Sequence, residues 1–255
     1  MGDGRDMGSA PLLDRRHFVA LAVSALVPTS AWGQASGDHQ IKLDIPLLSE
    51  DPTGVPVSFS IDHPMEPDHY IRSVDLTLAA DPIPYKGTFL FTPANGRAAA
   101  AFKMRSGAGG KVQAIAECTK HGKFTATRDI RVAEGGCAMA PDGASQTGPK
   151  NVQIRLPQTL RVGDVVEARV RVDHNTETGL AFRGGKYVRE APEFFLKEMV
   201  VFLDDQKISE FRLSSAISAN PIIRFPVRIP RSGTLKVVFV NSQGQRAEAT
   251  QPVKA

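Results

Sequence analysis

The chain has 255 residues, 42% of them hydrophobic and 23% charged, with a formal net charge of +4. This composition is globular and excludes a disordered or fibrous chain, and the mild basic excess without a dense Lys/Arg stripe argues against nucleic acid as a partner. Aromatic residues are sparse, with one Trp and three Tyr, and sustained helical periodicity is missing, which leans towards β-structure.

The first predicted element is an export signal over residues 1–35. Arg15-Arg16-His17-Phe18-Val19 leads into an apolar run over 18–27, broken only by Ser24, and Pro28 and the small-residue stretch 29–33 follow. A basic pair, a short apolar core and a small-residue exit are the parts of a cleavable signal. The run is about half of the roughly 20 residues a membrane span needs, and no later run is a candidate span. The twin arginine with Phe18 two positions on resembles the signal that exports folded proteins, with Asp14 where Ser or Thr is usual. The predicted location is the periplasm.

From residue 41 apolar side chains alternate. Ile41, Leu43 and Ile45 mark one strand; Val55, Val57, Phe59 and Ile61 mark the next; Val74, Leu76 and Leu78 mark a third; strands at 87–91, 97–104, 112–118 and 123–132 follow. Turn signals separate them at 51–54, 63–64, 81–82, 93–96 and 106–110. Seven short strands in about 95 residues predict an immunoglobulin-type antiparallel β-sandwich over 40–133. Val112, Ala114, Ala116 and Cys118 share one face, and the turn-like 119–122 follows. Cys118 therefore reads as a buried small hydrophobe beside a hairpin turn.

Residues 134–150 carry no strand pattern and read as a Gly/Pro linker. Its opening, EGGCAMA at 134–140, contains Cys137 directly after Gly135 and Gly136. Such a composition predicts an exposed thiol on a mobile tether. Reach opposes a bridge to Cys118: from Lys123, opposite it in the hairpin, to Cys137 is roughly 45 Å of extended chain, whereas a disulfide needs Cα atoms within about 7 Å. A free exposed thiol in an oxidising compartment is expected to have a use.

A second series of strands is predicted at 152–156, 165–172, 198–203, 208–213, 222–229, 234–240 and 246–253, giving a second sandwich over 151–255. Residues 187–196 read as one short helix or an irregular arm, limited by Pro192, and Asp204-Asp205 as a hairpin turn. The histidines at 17, 39, 63, 69, 121 and 174 form no H-x-x-x-H pair and the cysteines no C-x-x-C pair, so no metal ligands are assigned. A soft-metal site from Cys137, Met139 and a distant histidine lacks ligand spacing. No G-x-S-x-G or Ser-His-Asp order points to a hydrolase, and no phosphate-binding helix follows the glycines of 107–110.

Five blocks then carry a resemblance: VPVSFSIDHPMEPDHYIRSVDLTLAADPIP, FTPANGRAAAAFKMR and ATRDIRVAEGGC in the first half, and VQIRLPQTLRVGDVVEARVRVDHNTETGL and RLSSAISANPIIRFPV in the second. The first set resembles SoxY, the sulfur-carrier subunit of periplasmic thiosulfate oxidation, and the second its partner SoxZ. The chain thus resembles a fused SoxY–SoxZ carrier, and is similar to a SoxYZ-like group associated with quinoprotein dehydrogenases. The resemblance implies an all-β chain of two immunoglobulin-like sandwiches in series. It also implies a carrier rather than an enzyme, with no cofactor. In SoxY the chain ends Gly-Gly-Cys-Gly-Gly, and the cysteine sulfur holds the intermediate while separate enzymes process it. Carried over by motif, Cys137 is the attachment point, and Gly135 and Gly136 supply arm freedom.

Ala138 and Met139 depart from the two final glycines, and the chain continues past them, so this arm is a loop held at both ends. The implied partners are periplasmic redox or hydrolytic enzymes: sulfur-oxidation enzymes, or a quinoprotein dehydrogenase or cytochrome c. Contact between the two sandwiches is also expected. A second reading stays open, a non-catalytic adaptor for a periplasmic dehydrogenase or cytochrome in which Cys137 is incidental.

Overall fold

The computed structural model describes residues 39–138 and 146–255. The export signal expected over 1–35, and the linker from Met139 to residue 145, lie outside the described residues. The first half contains β1 (Ile41–Asp44), β2 (Leu48–Ser49), β3 (Val55–Ile61), β4 (Ile71–Leu78), β5 (Tyr85–Phe91), β6 (Ala98–Met104), β7 (Gly110–Cys118) and β8 (Gly122–Val132). The second contains β9 (Lys150–Arg155), β10 (Val165–Asp173), β11 (Leu180–Arg183), β12 (Lys186–Arg189), β13 (Leu196–Leu203), β14 (Gln206–Leu213), β15 (Ile222–Arg228), β16 (Gly233–Asn241) and β17 (Arg246–Val253). The described residues hold no α-helix, and no helix there is long and apolar enough to cross a membrane.

Alternation in the sequence becomes alternation in burial. In β3, Val55, Val57, Phe59 and Ile61 face the core while Pro56, Ser58 and Ser60 face outward. Each half then places three strands in one sheet (β1, β3 and β6; β9, β10 and β15), and in the other the first half places five (β2, β4, β5, β7 and β8) and the second four (β13, β14, β16 and β17). That division is the immunoglobulin-like sandwich, present twice.

The two sandwiches are joined edge to edge. β5 pairs antiparallel with β14 from Gly87↔Leu213 to Phe91↔Ser209, and β6 meets β15 at Ala101↔Arg224. Two edges that would otherwise present unpaired backbone groups thereby close each other. The result is one six-stranded and one nine-stranded sheet with a shared core. Phenylalanines bridge the seam. The ring of Phe89 lies 5.0 Å from Phe211 and 5.1 Å from Phe59, and Phe211 lies 5.6 Å from Phe225. The buried Asn95 amide adds a polar tie, donating to Ser209 Oγ at 2.7 Å and to the Pro226 carbonyl at 3.0 Å.

Residues 187–196 form no helix: 190–195 are irregular apart from a bridge at Phe194, and strands stand on either side. Tyr187 and Val188 belong to β12, which pairs with β11 in a two-stranded ribbon. Gly184 and Gly185, at φ 56° and 77°, form its two-residue turn, a conformation in which glycine is the least strained residue. Asp204-Asp205 connects β13 to β14 as expected, with Asp204 at φ 53°.

Candidate functional site

Cys137 is not on an exposed tether. Its side chain is fully buried, packed with Ile83 and Ala216 and flanked by Leu180 and Tyr187. The loop that carries it is fastened on several sides. Ala138 N–H closes a turn on the Gly135 carbonyl at 2.8 Å. Gly135 N–H donates to Tyr187 Oη at 2.8 Å, and that hydroxyl donates to the Gly107 carbonyl at 2.6 Å. Thr178 Oγ1 donates to the Cys137 carbonyl. The buried Arg105 guanidinium reaches the carbonyls of Gly136, at 3.4 Å, and Thr176, at 3.2 Å. Both halves of the chain therefore build this pocket.

The roles expected for the two glycines change accordingly. Gly135 adopts φ 95°, which an L side chain resists. A Cβ on Gly136 would stand 2.3 Å from the Ser106 carbonyl oxygen and 2.6 Å from Pro52 Cβ. In the docked loop Gly136 allows close approach of backbone to backbone rather than swing. Composition makes 134–138 look like linker because small residues serve tight packing and flexibility equally well.

The floor of the pocket is charged. Cys137 Sγ lies 3.3 Å from Asp81 Oδ1 and donates to it. The same carboxylate oxygen lies 2.8 Å from Lys86 Nζ, both side chains fully buried. Asp81 Oδ2 accepts from Ser106 Oγ at 3.0 Å and Gly107 N–H at 2.6 Å, and Lys86 donates to the Arg105 carbonyl at 3.1 Å. Burial works to raise the Asp81 pKa, but Lys86 and these donors outweigh it and hold the carboxyl below its ordinary value. Burial first, and the Asp81 charge second, push the Cys137 thiol up to about 12. In this position the sulfur is a protonated, poor nucleophile.

The opposite end of β4 holds a second constellation. His39 precedes β1, His63 follows β3, His69 precedes β4, Cys118 ends β7 and His121 lies in the β7–β8 turn. Their five ligand atoms all lie within 4.8 Å of one another. Cys118 is buried as expected, but its sulfur faces histidines. Spacing along the chain assigns no metal ligands, because these side chains converge from four separate loops and strand ends. The available signals are short: Cys118-x-x-His121 across a turn, and His63 and His69 flanking a proline-containing loop. The two thiols are free. β4 has eight residues and so separates the two sites by roughly 25 Å.

Comparison with known proteins gives two family matches. The family model for "Sulfur oxidation protein SoxY" matches residues 29–137, ending on Cys137, and that for "Sulphur oxidation protein SoxZ" matches 154–252. No curated protein matches the chain. Similar solved structures include a superoxide reductase (neelaredoxin) from Ignicoccus hospitalis, at 26% identity over 38% of this chain and 82% of that one, with a TM-score of 0.35. A glycosyl hydrolase family 2 member from Bacteroides cellulosilyticus is 13% identical over 79% of this chain and 24% of its own, with a TM-score of 0.25. A family 2 β-glucuronidase is 13% identical over 85% and 20%, with a TM-score of 0.26. At these TM-scores none of the three structures bears on the chemistry of this chain.

Proposed function

The chain belongs to the SoxY and SoxZ families of sulfur-oxidation proteins, joined in tandem, and on that premise we propose that it holds a sulfur-containing intermediate covalently on Cys137 and presents it to partner enzymes in the periplasm. The observation that carries the reading is the end of the SoxY match on Cys137, the thiol enclosed by both halves of the chain. Export rests on the Arg15-Arg16 signal. The chain itself is a carrier; the partners perform the chemistry.

The docked loop is the resting form of this carrier. With its proton held by burial and by Asp81, Cys137 resists adventitious oxidation. Loading requires residues 134–138 to leave the pocket, which returns the thiol to an ordinary environment. Joining it to a sulfur anion releases one proton and two electrons, so a redox enzyme must accept those electrons. Sulfur-oxidation enzymes and a cytochrome c are partners of the right class. Burial of Cys137 also favours the second reading, an adaptor for a quinoprotein dehydrogenase or cytochrome in which the thiol only packs.

Peptide mass spectrometry of protein taken from cells oxidising a reduced sulfur compound separates the two. The carrier shows a reducible adduct on Cys137, and the Cys137→Ser strain loses sulfur oxidation. A bare thiol, with Cys137→Ser cells growing normally, overturns the carrier and leaves the adaptor.

A further inference from the structure

We infer that His39, His63, His69, His121 and Cys118 bind one six-coordinate divalent first-row transition ion of the Fe(II), Co(II) or Ni(II) type. Four imidazoles form a square, the thiolate caps it, and one position stays open for a small anion. The argument begins with distances. His63 Nε2 lies 3.1 Å from His39 Nε2, which lies 2.9 Å from His121 Nδ1, which lies 3.2 Å from His69 Nε2. Nitrogens bound at right angles about 2.1 Å from one ion stand about 3.0 Å apart. Three successive edges of a square are therefore in place. Cys118 Sγ lies 3.5 Å from His63 Nε2 and 3.7 Å from His121 Nδ1. Those are opposite corners, so the sulfur sits over the middle of the square rather than beside one edge.

The surroundings prepare the ligands. His63 Nδ1 donates to the Pro64 carbonyl at 2.6 Å, which leaves the Nε2 lone pair aimed into the cluster. Lys120 N–H points at Cys118 Sγ from 3.4 Å and helps hold the sulfur in place. The Phe124 ring packs against His39 with centroids 4.2 Å apart and fixes that imidazole. Hydrogen bonding alone fits this arrangement poorly. His39 Nε2 stands between two ring nitrogens at 3.1 and 2.9 Å, and one N–H proton serves only one of them well. A single cation satisfies every converging lone pair.

The donor set selects the metal. Four nitrogens and a sulfur exclude Mg²⁺ and Ca²⁺, which take oxygen ligands. Five protein ligands exceed the four of a structural zinc site. A square with one cap belongs to an octahedral ion whose sixth position lies across the square from the sulfur. His121 is exposed and His69 half-buried, so the cluster opens at the surface, where a small anion can enter.

The test uses the full chain, stripped with chelator and titrated anaerobically with Fe(II) or Co(II). One equivalent should bind and give a thiolate-to-metal charge-transfer band. Cys118→Ser should abolish the band, Cys137→Ser should keep it, and azide should shift it. His69→Ala and His121→Ala, near the surface and tolerable to the fold, should each weaken binding at least about tenfold, with circular dichroism unchanged. Absence of stoichiometric binding overturns the proposal, as does a band that survives Cys118→Ser or affinity unaffected by both histidine changes. A band indifferent to azide overturns the open position.

Discussion

Replacing Tyr187 with Phe should unlock the Cys137 loop. The hydroxyl accepts from Gly135 N–H and donates to the Gly107 carbonyl, and each such bond contributes about 0.5–1.5 kcal/mol net. Its loss therefore weakens the docked loop by about 1–3 kcal/mol, while the ring stays to cover the pocket. A 1–3 kcal/mol change corresponds to roughly a 5- to 150-fold rise in the open population. The assay is a pulse of iodoacetamide at neutral pH, read at the Cys137 peptide by mass spectrometry against denatured protein. Wild-type Cys137 should be strongly protected and Tyr187→Phe less so by that factor. Wild-type labelling at the denatured rate, or a folded Tyr187→Phe protein labelled no faster than wild type, would refute the reasoning.

Gly136→Ala should expose Cys137 further, because the new Cβ meets the Ser106 carbonyl and Pro52; labelling should approach the denatured rate while the melting temperature moves by only a few degrees. Alkaline pH should open the loop as well. The docked thiol titrates at about 12 against an ordinary 9.0, so docking is fully stable below about pH 9 and loses about 1.4 kcal/mol per unit above it. Labelling of Cys137 should keep rising about tenfold per unit above pH 9, where the denatured chain levels off. His174, stacked on Phe194 with ring centroids 4.7 Å apart, is pushed down to about 4 by burial. Its folded form resists protonation, so stability should fall as pH drops from about 6.5 towards 4, and His174→Phe should flatten that part of a melting-temperature profile. Phe211→Ala, at the seam, should cost about 3–5 kcal/mol and leave one cooperative transition; two separate transitions would contradict the shared core.

The strands and their turns are legible because their signal is local. Alternation along Val55–Ile61 or Gly110–Cys118 records which side chains face a core, whatever that core is made of. The turn at 119–122, the turn at Asp204-Asp205 and the family blocks around Cys137 are local in the same sense. The strand start at Tyr187 is missed because the ribbon turn sits upstream, in Gly184-Gly185, and the strand partner beyond it. The edge pairing of β5 with β14, the sheath around Cys137 and the histidine cluster are decided only by tertiary structure. His39 and His121 are 82 positions apart yet 2.9 Å in space, and Cys137 meets Asp81 and Thr178 from different halves of the chain. Pattern along a chain fixes what each segment can bury; which strand ends and loops share a corner depends on how the sheets stack and join, a property of the assembled layers that no single stretch encodes.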